Sequence, residues 1–183
     1  EILEYGKSLK DKLGAYRSTI LSLFQDGKTE RAIAMNLYVL DELGVHMPRR
    51  FLKLNILRRI LRTRRKLRRY SDEDLLSIPE TKDKNLRPAQ LFLSLLGALT
   101  MATGNTEYQL LALIQRALSI TLQGANDDWT VVSLAACGYL YSLFGEFDTA
   151  YRYGKLALQM VGEGTHSRQD ARGILMTYFS VWH

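Results

Sequence analysis

An all-α fold of stacked antiparallel helical pairs is what this sequence predicts, and three observations predict it. Only 3 prolines occur in 183 residues, so little in the chain interrupts a helix. Helix formers such as Leu, Ala, Arg and Gln are plentiful, whereas runs rich in Val, Ile and Thr are scarce. Apolar residues recur at three- and four-residue spacing along the whole chain, which is the helical period.

About nine helices are expected. Leu9, Leu13, Tyr16, Ile20 and Leu23 form one stripe. After Gly27 a second helix carries Ala32, Ile33, Leu37, Leu40 and Leu43, and Gly44 is placed to cap it. These two make an antiparallel pair with a tight connection. A third helix starts near Pro48, a residue suited to a first turn, and runs through the basic stretch to Tyr70. Ser71 is an N-cap for a short fourth helix, with Asp72, Glu73 and Asp74 where the helix dipole favours acids. Pro79 ends it. The polar stretch 79–87 is the best internal break in what otherwise reads as one domain over 1–183. The remaining helices are expected at 88–101, 108–123, 129–144, 147–161 and 168–182. The chain starts at Glu1 and stops at His183 just after an apolar helix-like run, and it is expected to be a piece of a larger protein.

Charge is concentrated in one element. Net charge is +6, yet residues 49–69 hold eleven Lys/Arg and no Asp or Glu, so the remainder of the chain carries −5. Outside residues 49–69 the chain is therefore mildly acidic, and it carries one basic helix. Its candidate partner-binding residues are Arg58, Arg62, Arg64, Arg65, Lys66, Arg68 and Arg69. Phe51, Leu54, Ile56, Leu57, Ile60 and Leu61 can anchor the helix, and the anchor is expected to end near Leu61. The Leu57–Leu61 stripe continues there as Arg64 and Arg68. Three readings compete for the basic half: a solvated face, a dock for an acidic surface of this or another chain, or a contact with nucleic acid or an anionic membrane. Phosphate binding would weaken steeply with salt. A membrane-surface helix wants a sharper division of faces than this one has.

Two turns are alike. "LFQDGKTERAI" and "SLFGEFDTAY" each place a glycine at the helix–helix turn and an alanine five residues later, Gly27 with Ala32 and Gly145 with Ala150. Glycine permits the tight turn, and the small alanine lets the second helix approach the first. A third turn glycine, Gly104, is followed at the matching place by Gln109. Around the second turn, Gly138, Tyr141, Gly145, Phe147, Ala150 and Ala157 keep a small/large order. Residues 134–160 thereby resemble a tetratricopeptide repeat of degenerate kind, with Leu134 where the pattern has Trp and without its terminal Pro. The Gly27 unit resembles it more loosely, and the Gly104 unit more loosely still. The resemblance implies a TPR-like α-solenoid. More widely, "AIAMNLYVLDELGVHMP", "ALSITLQGAN", "CGYLYSLFGEFDTAYRYGKLAL" and "MTYFSVWH" resemble the helical region of large multidomain signalling ATPases. In these a P-loop ATPase of the AAA/STAND kind is joined to kinase or sensor modules. That resemblance implies a scaffold that relays signals within a chain, and it carries over no catalytic residue.

Motifs for chemistry are missing or incomplete. "GKS" at residues 6–8 has Glu1 where the phosphate-cradling loop needs its first glycine, and no strand precedes it. "GEG" at 162–164 reads as a turn. His46, His166 and His183 lack metal-ligand spacing. No catalytic, metal or cofactor residue is assigned, and no enzyme is expected. Cys137, the only cysteine, excludes an internal disulfide and sits at a small packed position, as a buried inert thiol would. With no signal-like start, this suggests a reducing, cytoplasmic setting. No apolar run reaches the roughly 18 residues of a membrane span. The aromatics Tyr139, Tyr141, Phe144, Phe147, Tyr151 and Tyr153 could stack on bases, but their helical spacing makes them core residues by expectation. Tyr178, Phe179 and Trp182 are expected to bury against a neighbour.

Overall fold

The computed structural model describes residues 8–48, 52–77, 85–104, 106, 108–109, 111–115 and 130–162. The chain is all-helical, and no strand occurs among the described residues. Seven helices have described bounds: α1 (Leu9–Gln25), α2 (Thr29–Glu42), α3 (Leu52–Leu67), α4 (Asp72–Leu76), α5 (Leu86–Thr103), α6 (Thr130–Ser142) and α7 (Phe147–Gly162). Residues 108–109 and 111–115 are also helical. The expected helix over 168–182, most of the break at 79–87, and the start of the basic helix at 49–51 lie outside the described residues.

Contacts divide the chain into two compact units, one of residues 1–52 with 84–112, the other of residues 53–83 with 113–183. The described part of the first unit begins with Ser8, the last residue of "GKS". Its hydroxyl accepts from the Asp11 N–H at 3.3 Å, and the Asp11 carboxylate accepts from the Ser8 N–H at 3.1 Å. This reciprocal pair satisfies two otherwise orphaned donors and starts α1. Helix α1 packs on α2, and α5 packs on both. Ile20, Ala32, Val39, Leu40, Phe92, Leu93, Leu96 and Leu99 form the core between them. Pro88 lies inside the first turn of α5, two residues later than the helix start, where no intrahelical donor is lost.

One polar side chain stands out in that core. Asn36 is 0% exposed, and neither its amide nitrogen nor its oxygen has a hydrogen-bond partner among the described residues. Thr100 is equally buried, but its hydroxyl donates to the Leu96 carbonyl at 2.8 Å.

In the second unit α6 and α7 form a close antiparallel hairpin, and α4 packs on α7. Every residue of α6 from Thr130 to Gly138 is buried. A helix apolar on all sides belongs in the middle of its unit. Leu67 from α3 and Leu75 from α4 join Leu134, Ala135, Tyr141, Ala150, Tyr153, Leu156 and Ala157 in one core. Ser71 caps α4 with the same reciprocal arrangement as α1: the Asp74 N–H donates to its hydroxyl at 3.1 Å, and the Ser71 N–H donates to the Asp74 carboxylate at 2.9 Å. That donation holds the Asp74 carboxyl below its ordinary pKa.

Candidate interaction surface

The repeated turns come first, because they set the register of everything near them. Gly27 and Gly145 both adopt left-handed backbone, with φ of 73° and 72°. In the first turn Gly27 N–H donates to Phe24 O and Lys28 N–H to Leu23 O. In the second, Gly145 N–H donates to Ser142 O and Glu146 N–H to Tyr141 O. These are the same two bonds at the same spacing, the glycine-terminated helix end that needs positive φ. Ala32 and Ala150 then sit in equivalent places, at 0% and 1% exposure. Gly44 ends α2 with the same pair of bonds, from Gly44 N–H to Asp41 O and Val45 N–H to Leu40 O. Gly104 ends α5 at φ 68°. Gly138, Tyr141 and Ala157 are buried on the hairpin.

The basic helix α3 lies in the second unit, and its buried side is Ile56, Ile60, Thr63 and Leu67. This corrects the expected anchor in two ways. Leu54, Leu57 and Leu61 are 68%, 54% and 56% exposed, so they are not the anchor. Burial also continues past Leu61 to Leu67, which is 0% exposed. Positions 56, 60, 63 and 67 recur every three or four residues along the full helix, and Thr63 fits among them because its hydroxyl donates to the Arg59 carbonyl at 2.8 Å.

Arg64 has a definite place. It is paired with Glu146, the residue between the Gly145 turn and α7, and its guanidinium lies 5.9 Å from the centre of the Tyr141 ring. Tyr141 stacks on Tyr153, with ring centres 5.5 Å apart and planes 8° apart. The Arg152 guanidinium lies 5.4 Å from the centre of the Tyr153 ring. Arg152 also donates to the Asp72 carboxylate at 2.5 Å and to the Tyr70 carbonyl at 3.1 Å. Two tyrosines, each with a cation against its ring, therefore tie α3 and the start of α4 to the hairpin. A cation against an aromatic face contributes about 0.5–2 kcal/mol, more as water is excluded. Burial pushes the Tyr141 and Tyr153 hydroxyls and the Cys137 thiol above their ordinary pKa values.

The other basic candidates lie elsewhere. Arg58, Arg62, Arg65, Arg68 and Arg69 are exposed, and Lys66 is half-buried. The aromatics around the turn also divide. Tyr141 and Tyr153 are core, as expected, but Phe144, Phe147 and Tyr151 are 43%, 69% and 47% exposed. They point away from the core because they fall on the opposite side of the turn register that Gly145 fixes.

In the first unit, sequence reasoning missed an open groove of about 620 Å³ between α1 and α2, lined by Tyr16, Leu23, Arg31 and Tyr38 among others. The Tyr16 and Tyr38 rings meet there at 6.0 Å and 58°. The nearby Glu42 carboxylate raises the Tyr38 hydroxyl, with Tyr16 adding to it. His46 pairs with Asp41 at the end of α2. Among the described residues no group of three or more His, Cys, Asp or Glu could hold a metal ion, and no helix is long and apolar enough to cross a membrane. His166 and His183 lie outside the described residues.

No protein-family model, curated protein or solved structure matches the chain.

Proposed function

We propose that the chain is a non-enzymatic helical-repeat scaffold, TPR-like and cytoplasmic, that holds protein partners or relays signals between domains of a larger signalling protein. The observation that carries this reading is the equivalence of the Gly27 and Gly145 turns, down to the paired hydrogen bonds and the buried alanine five residues on. Repeated helical hairpins expose extended side-chain surfaces whose typical use is to bind other chains. The groove beside Tyr16 and the exposed Phe144 and Phe147 at the other turn are surfaces of that sort.

A second reading has its own observation. Five exposed arginines of the 58–69 segment could grip nucleic-acid phosphates. One experiment separates the two. The chain is purified from cells with nuclease treatment and its neighbours are mapped by cross-linking mass spectrometry. The scaffold reading expects cross-links to protein at fixed stoichiometry, from the hairpin and groove surfaces, that survive nuclease. It fails if association disappears with nuclease and random oligonucleotides bind with steep salt dependence.

A further inference from the structure

The inner and outer faces of α3 differ in kind. Ile56, Ile60, Thr63 and Leu67 hold it in its unit. Its outward side carries Leu54, Leu57 and Leu61, all more than half exposed, at spacings of three and four residues. That is the spacing of a helix–helix seam, in which apolar residues alternate so as to meet a second helix. The stripe covers only about 60° of the helix circumference at 100° per residue. Arg58, Arg65 and Arg62, all exposed, line one edge of it. Of the two arginines that would continue the seam, Arg64 is turned to Glu146, and Arg68, just past the end of α3, is exposed. The seam therefore stops at Leu61 and gives way to cations.

These features select among occupants. Phosphates would be met by the arginines but give no reason to keep three leucines in water beside them. A bilayer surface takes a broad apolar face, and this stripe is narrow and interleaved with charge. A second helix fits both parts: apolar residues for the leucines, and acids along one edge for the arginines.

We propose that the outer face of α3 is a docking site for an acidic amphipathic helix of a protein partner. The partner's apolar residues recur every three to four positions over about two turns, and Asp or Glu flank them on the side of Arg58 and Arg65. The inference rests on the scaffold reading above and gives it a specific surface and partner chemistry.

The test uses the 183-residue chain and a fluorescent peptide of about three heptads, with Leu at the first and fourth positions and Glu at the fifth and seventh. Anisotropy titration is expected to show saturable binding. That binding should weaken by about tenfold or more in the double variant Leu57→Ser with Leu61→Ser, and likewise in Arg58→Glu with Arg65→Glu. A peptide with Lys in place of Glu should bind the arginine-reversed variant better than it binds the natural chain. All four positions are exposed, and circular dichroism checks each fold. If the leucine variant unfolds, the charge reversal and its compensating peptide decide. The proposal is overturned if the peptide does not bind or if neither variant alters binding. It is also overturned if phosphatidylserine vesicles or random oligonucleotides bind more tightly than the peptide. Loss of peptide binding with protein cross-links intact elsewhere removes this site and leaves the scaffold. Absence of protein cross-links anywhere removes the scaffold as well.

Discussion

The α1–α2 hairpin and the α6–α7 hairpin share a turn and differ in what the turn holds together. Both end their first helix on a left-handed glycine with the same two hydrogen bonds, and both bury an alanine on the first turn of the second helix. Past that point they diverge. Taking Gly27 and Gly145 as equivalent, Leu23 stands where Tyr141 stands, and Leu23 is only partly buried whereas Tyr141 is 2% exposed. Met35 stands where Tyr153 stands, and Asn36, buried without a partner among the described residues, where Gly154 stands. One backbone device thus supports a hairpin held by stacked, cation-flanked rings and another that carries an uncompensated amide. The turn specifies the hairpin, and the side chains around it specify what the hairpin is for.

Raising the pH should separate the two units most strongly. Cys137, Tyr141 and Tyr153 all have folded pKa values above their ordinary values of 9.0, 10.0 and 10.0. The unfolded chain ionises first, so the stability they contribute is complete below about pH 9 and falls as pH rises beyond it. Cys137 and Tyr153 each lose about 1.4 kcal/mol per pH unit above the unfolded value, on the order of 4 kcal/mol together near pH 11, and Tyr141 adds in the same direction. Hydrogen exchange resolved by peptide should show 130–162 losing protection before 8–48. In the first unit only Tyr38 is raised among the described residues, and it is exposed. Equal loss in both regions would break the comparison.

Truncating the equivalent positions comes next. Tyr141→Ala should destabilise the second unit by about 3–5 kcal/mol, whereas Leu23→Ala should cost under about 2 kcal/mol. Urea unfolding followed by hydrogen exchange checks both. If the two costs match, the ring stack has no special part in the hairpin.

The glycines test sameness instead of difference. An added Cβ meets nothing within 4 Å at Gly27 or at Gly145, so only backbone strain opposes a side chain there. Gly27→Ala and Gly145→Ala should each cost about 1–2 kcal/mol, and by similar amounts. Thermal melts of the two variants measure it, and a large inequality would mean that the turns are not equivalent.

The smallest effect has the opposite sign. Asn36→Leu should stabilise the first unit by about 1 kcal/mol, because it replaces a buried amide with no partner among the described residues by an apolar side chain of similar size. A lower urea midpoint would show that the amide is satisfied in solution.

Much of this was legible beforehand because it is local. Ser71 as a cap, Gly44 as a helix end and the glycine–alanine spacing of both turns need only neighbouring residues, and the structure has each of them. The anchoring face of α3 was not legible. The helix carries two apolar stripes, Leu54–Leu57–Leu61 and Ile56–Ile60–Leu67, and periodicity alone does not say which one meets the core. The division of the aromatics was hidden for the same reason. They share a period, and only the register at Gly145 sends Tyr141 inward and Phe144 outward. The Arg64–Glu146 pair joins residues far apart in the chain, and nothing in a single sequence links them.

The lone thiol acquires a use from its position. Cys137 is the only cysteine in the chain, 0% exposed, on the helix that runs through the middle of the second unit. Burial suppresses its thiolate as well, so a thiol reagent can reach it in reactive form only when that core opens. Its labelling rate is then a built-in clock for opening. It can be timed in the unaltered protein, with and without an acidic helix bound at α3, with no probe to be introduced.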